Sequence, residues 1–194
     1  MKQKWIFISI IAGFVLACGS RRPGAIKLTI PTIPADYTKL DLTKTGLAAD
    51  LMAPAGATVE KSTLYDNESK RHYFIIRAFA IPNDAADPSR RAQAAFNIYT
   101  TKRAFAQHRD DVKFRPTIGF KSWLIDEPDF IAFSTRPGNS IGQPIREKDA
   151  EVYHFLISRK GKDGQQYIIA TSSSMDFTKE EMLKLLAIAK SVNL

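Results

Sequence analysis

The chain has 194 residues, one cysteine, three histidines and a formal net charge of +8. A lone thiol excludes an internal disulfide and a cysteine-built metal site, so a fold of this size must be held by packing. Basicity of this order suits an anionic lipid or glycan surface, and it is equally the mark of a solvated exterior with surplus lysine and arginine.

Lys2 and Lys4 precede the run Trp5–Ala17, which is apolar apart from Ser9 and ends at Cys18. A charged start, a short apolar centre and a small residue before the break are the parts of a secretory signal. The run falls well short of the about 20 apolar residues that a spanning helix needs. Val15-Leu16-Ala17-Cys18 resembles the lipobox of bacterial lipoproteins. The resemblance implies that Met1–Ala17 is a signal peptide, that the Cys18 thiol is diacylated, and that the new N-terminus is acylated after cleavage. Gly19-Ser20 follows the cysteine, where an aspartate would imply retention in the inner membrane. In a Gram-negative host the implied address is therefore the outer membrane, facing the periplasm.

Gly19–Ala35 carries Pro23, Pro31 and Pro34 among small and charged residues and reads as a tether. Such linkers extend by about 3.1 Å per residue. Ile26, Leu28 and Ile30 alternate and permit a short edge strand. One domain is expected over 36–194. Leu40–Leu42 and Leu47–Ala53 suggest two extended pieces joined at Gly46, and Ala53-Pro54-Ala55-Gly56 is a turn signal. Val59–Leu64 alternates weakly. Arg71–Ile81 is a strong strand, with Tyr73, Ile75, Arg77 and Phe79 on one face and Phe74, Ile76, Ala78 and Ala80 on the other. Apolar residues on both faces place it inside a sheet.

Asp87-Pro88 has the form of a helix start, a capping residue before a first-turn proline. The spacing of Ala92, Ala95, Phe96, Tyr99 and Ala106 predicts a helix over about 88–109. Phe120–Ile125 and Phe130–Thr135 read as strands across the turn Asp126–Asp129, and 136–149 reads as a loop. Glu151–Arg159 alternates, Asp163-Gly164 suits a tight hairpin turn, and Tyr167–Thr171 is the return strand. Thr178 with Glu181 forms a capping box, and Met182, Leu185, Leu186, Ala189 and Val192 stripe a helix over 178–192. The expected class is α+β, an antiparallel sheet packed by two helices. The element order, with the Tyr73 strand entering the Asp87-Pro88 helix, resembles the PsbP-like fold. That family of small exported or adaptor domains brings no general catalytic residues to carry over.

Chemical signatures are sparse. His72, His108 and His154 stand apart from one another and from Cys18, so no local metal-ligand spacing arises and no cofactor is implied. A satisfied histidine inside a strand is the ordinary reading of His154. Asp126, Glu127 and Asp129 surround Pro128 as a solvated turn does and match no calcium loop. Ser172-Ser173-Ser174 lacks the flanking glycines of a nucleophile elbow. The one surface feature is basic: Arg90, Arg91, Lys102, Arg103 and Arg109, with Lys113 and Arg115, form either a solvated face or a contact for anionic headgroups or a partner.

These readings favour a non-enzymatic, membrane-anchored lipoprotein that binds an envelope protein or serves envelope assembly or maintenance. Nucleic acid is not an expected partner of an exported chain, and oligomeric state stays open. The alternatives are a lipid-tethered hydrolase and a carrier of an apolar ligand in a groove between sheet and helix. A deep pocket gathering His154 or His108 with carboxylates marks the first. An apolar cavity of about 300 Å³ or more marks the second.

Overall fold

The structure, a computed structural model, describes residues 28–65, 70–82, 91–114, 118–137, 150–172 and 175–194. A small hairpin, β1 (Thr38–Asp41) and β2 (Asp50–Ala53), precedes strands β3 (Thr58–Tyr65), β4 (Lys70–Pro82) and β5 (Arg91–Thr100). Helix α1 (Phe105–Phe114) leads to β6 (Phe120–Asp126), β7 (Phe130–Thr135), β8 (Val152–Lys160) and β9 (Gln166–Thr171), and helix α2 (Lys179–Lys190) follows. The seven long strands form one antiparallel sheet in the order β3-β4-β5-β9-β8-β7-β6. The class is α+β, as the patterning predicts.

The first helix lies elsewhere than expected. Residues 91–100, inside the predicted helix over 88–109, form β5, which pairs with β4 and with β9. The proposed start at Asp87-Pro88 lies outside the described residues. Ala94, Phe96 and Ile98 point into the main core at a spacing of two, while Ala95 is buried on the opposite face. A strand with apolar residues on both sides offers i, i+3 and i+4 pairs as readily as i, i+2 pairs, and pairing on both flanks decides the outcome. Of the helix expected to follow the Tyr73 strand, residues 91–100 are therefore strand and only 105–109 are helical. A shorter helix, α1, begins only after the turn at 101–104.

The main core fills one face of the sheet. Strand residues Phe74, Ile76, Phe96, Ile98, Phe155, Ile157 and Ile169 meet Met182, Leu185, Leu186, Ile188 and Ala189 of α2, all five of the helical side chains at 0% exposure. A register shift between Arg77 and Phe79 bulges β4 at Ala78. It reverses the alternation, so Phe79 packs toward the main core with Ile81 rather than sharing a face with Tyr73 and Ile75.

Helix α2 is fixed at both ends. Thr178 Oγ1 accepts the Glu181 amide at 3.2 Å and the Glu181 carboxylate accepts the Thr178 amide at 2.7 Å, the expected capping box. At the other end Arg159, from β8, donates to the carbonyls of Val192 at 2.5 Å and Lys190 at 3.0 Å, where the helix dipole favours a cation. The Asp50 and Asn193 backbones then bond each other at 2.8 and 3.2 Å, tying the small hairpin to the chain's last residues. Leu28 and Ile30 pack against the same core without forming a strand, so the packed region reaches into the expected tether.

Hairpin β8–β9 matches its expected turn. The Gly161 amide bonds the Gln165 carbonyl at 2.9 Å, and Gly164 takes a positive φ of 79°. A Cβ on Gly161 would lie 2.7 Å from the Asp163 carboxylate and the Tyr167 ring, which the Tyr167 hydroxyl bridges at 2.7 Å.

Leu185→Ala empties a fully buried site on α2 and should cost about 2–5 kcal/mol, whereas Thr178→Ala removes only a cap and should cost about 1 kcal/mol. Urea unfolding of the full chain in detergent, followed by circular dichroism, measures both. Equal losses would show that α2 is not docked as described.

Candidate functional site

Among the described residues, the second face of the sheet is covered at the end where α1 lies. There α1 lays Val112 on Ile131 of β7 and Phe133, with Phe105, Ile118, Phe120, Trp123 and Leu156 around them. Helix α1 is capped locally: Thr101 Oγ1 accepts the Arg103 amide at 3.1 Å and the Gln107 side chain accepts the Ala104 amide at 3.1 Å. The buried His108 contacts Thr101 Oγ1 through Nε2 at 3.3 Å.

The predicted basic residues do not share one helix face. Arg90 lies outside the described residues, and Arg91 opens strand β5. Lys102 is exposed in the turn before α1. Arg103 pairs with Asp111 at 2.9 Å. Arg109 forms a two-pronged pair with Asp126 at 2.5 and 2.6 Å, and its guanidinium lies 5.8 Å from the Trp123 ring centre. Hydrogen bonds donated to these carboxylates raise both arginine pKa values above their ordinary value. Arg103 and Arg109 thus secure α1 to itself and to β6. Their charges are largely matched within the fold.

Asp126 is consumed by that pair. Glu127 donates its amide to the Phe130 carbonyl at 2.9 Å, and the Asp129 carbonyl accepts the Ser158 amide at 2.7 Å, so the acidic group is the turn its proline suggests. Among the described residues, no group of three or more histidines, cysteines, aspartates or glutamates could hold a metal ion. Cys18 lies outside the described residues, as do Ser173 and Ser174.

An aromatic series links the two cores. Phe120 and Trp123 lie 4.6 Å apart, Trp123 and Phe133 6.0 Å, Phe133 and His154 5.5 Å, and His154 and Phe177 6.2 Å. His154 is buried in β8, with Nδ1 3.3 Å from Thr171 Oγ1. The same hydroxyl accepts the Phe155 amide at 3.3 Å, closing the ladder where β9 ends. Burial pushes the imidazole pKa down to about 4, so His154 is neutral at physiological pH. It fills space between aromatic rings, and its place is that of a core residue rather than a general base.

The chain matches no protein-family model, no curated protein and no solved structure. What the geometry itself offers is a surface at the end of α1. Phe114 is 68% exposed, the one large apolar side chain so exposed among the described residues. The Lys113 ammonium lies 5.1 Å from its ring centre. The signal in the sequence is the triplet Lys113-Phe114-Arg115, an aromatic between two cations.

Between its unfolded pKa near 6.5 and its folded value near 4, His154 binds a proton only in the unfolded chain. Stability contributed by the neutral ring is therefore complete above pH 6.5 and declines as pH falls toward 4, by up to ~3 kcal/mol. Denaturant midpoints across that range should show the decline in the native chain and a flatter limb in His154→Leu. Parallel limbs would mean that His154 is solvated.

Proposed function

We propose that this chain is a lipid-anchored envelope domain that works by binding, not catalysis. The observation that carries the reading is Cys18, the single thiol, at the end of the apolar run Trp5–Ala17. Acyl chains on that residue contribute about 0.8 kcal/mol per buried methylene, and more than one chain is needed for stable anchorage. The anchor must come from lipid or from that N-terminal run. Among the described residues no helix is long and apolar enough to cross a membrane.

Two structural features favour binding at the surface over the alternatives. His154 meets Phe133, Phe177 and a threonine hydroxyl, an environment that keeps it neutral and packed. Met182, Leu185, Leu186, Ile188 and Ala189 of α2 are packed on the sheet at 0% exposure, where a carrier would keep room for its ligand. The proposed setting is the periplasmic face of the outer membrane in a Gram-negative host, with an envelope protein as partner for assembly or maintenance.

Mass spectrometry of the native N-terminus should find an acylated Cys18 with Met1–Ala17 removed. Cys18→Ser should abolish metabolic labelling with palmitate and leave the precursor uncut. An unmodified cysteine in the native chain, or cleavage at another bond, overturns the anchor.

A further inference from the structure

We infer that the tip formed by α1 and the start of β6 is a second membrane contact, one that lays the domain on an anionic lipid surface. The inference rests on the anchored reading above for its setting, but its own support is separate.

Val112 fixes the end of α1 against Ile118, Phe120 and Trp123. Phe114, two residues on, projects from that edge into solvent. Lys113 beside it is exposed. The Arg136 amide bonds the Gly119 carbonyl at 3.0 Å, which brings a further exposed cation to the same end of the sheet. Lys121 on β6 pairs with Glu151 at 4.0 Å. A projecting aromatic with Lys113 against its ring and Arg136 at the same end of the sheet is complementary to lipid headgroups. The ring enters the interface, and the long cationic side chains reach the phosphates around it.

The composition of the tip decides between lipid and protein. A standard protein interface buries about 800 Å² on each partner around a well-packed apolar centre. Phe114 alone does not supply such a centre. Strand addition is disfavoured too, because the edge strand β6 carries two bulges in its pairing with β7, at Phe120/Ser122 and Trp123/Ile125. Bulged edges resist pairing with a further strand. Reach is not limiting. Cys18 and Leu28 are ten residues apart in sequence, and an extended chain of that length spans up to about 35 Å.

The test compares Phe114→Trp with the native chain. Each is purified whole in detergent and reconstituted with phosphatidylcholine vesicles carrying brominated acyl chains, with or without phosphatidylglycerol. The tryptophan added at 114 should be quenched roughly twofold or more in phosphatidylglycerol vesicles, relative to the native chain. The quenching should fall in high salt and in a Lys113→Glu, Arg136→Glu background. Quenching that is absent, or equal in both lipids, overturns the contact; binding of the tip to a protein would give that result. Mass spectrometry of the same samples keeps the two ideas apart. Acylated Cys18 without quenching sinks the tip and spares the anchor, while quenching with an unmodified Cys18 does the reverse.

Discussion

Docking of α2 onto strands β5, β9 and β8 is the contact on which the rest of this fold depends. The sheet is antiparallel and seven strands wide, and one of its faces is apolar along nearly every strand. No disulfide can hold it closed, since the chain has a single cysteine. The helix supplies the missing cover with Met182, Leu185, Leu186 and Ile188, each worth about 1.5–3 kcal/mol when fully buried. Its position is specified by polar contacts at both ends, the capping box at Thr178 and the Arg159 bonds to the final carbonyls. Burial of Arg159 disfavours its charged form and lowers its pKa, so the two carbonyls, Asp129 nearby and the dipole must compensate. The small hairpin β1–β2 is held through the same helix, by its buried Leu42, Leu47 and Leu51 and by the Asp50–Asn193 bridge.

How much of this was legible depended on whether local chemistry and tertiary pairing agreed. Hairpin β8–β9 could be read because alternation, Asp163-Gly164 and strand length all point the same way. Helix α2 could be read because a capping box precedes a stripe of period 3.6. Strand β5 could not, because Ala92, Ala94 and Ala95 are good helix formers and the apolar residues around them fit either period. Only the ladders to β4 and β9 exclude the helix, and those are contacts between residues far apart in sequence. Phe79 was assigned to the wrong face for a related reason: a one-residue bulge at Ala78 leaves no mark in composition, yet it inverts every side chain beyond it.

The basic surface shows the same limit in electrostatic form. A count of cations along the sequence puts Arg103 and Arg109 among the candidates for contact with a partner. In the fold their partners are already present: Asp111 eight residues on, within α1, and Asp126 on β6. Pairing with a half-buried carboxylate converts a surface charge into a positioning contact, and the Asp126 side chain is only 12% exposed. The charge that remains outward is set by which cations lack such neighbours, a property of the folded surface and not of the count. Lys113 closes α1, where its charge favours the negative end of the helix dipole.

The proposed reading places function on the exterior. The main core has no polar reactive group at its centre. The titratable ring at its border, His154, is held neutral by the same aromatic neighbours that join it to the second core. A catalytic imidazole needs a proton acceptor or donor that exchanges with a substrate, and therefore a path to one. His154 has instead two aromatic rings and a threonine hydroxyl already shared with a backbone amide. Among the described residues, α2 covers one face of the sheet, α1 covers part of the other, and Phe114 meets water at the end of α1. Exposure of a phenylalanine costs free energy in water. On the proposed reading a bilayer interface recovers it without demanding a shaped partner, and the lipid anchor keeps such an interface within reach.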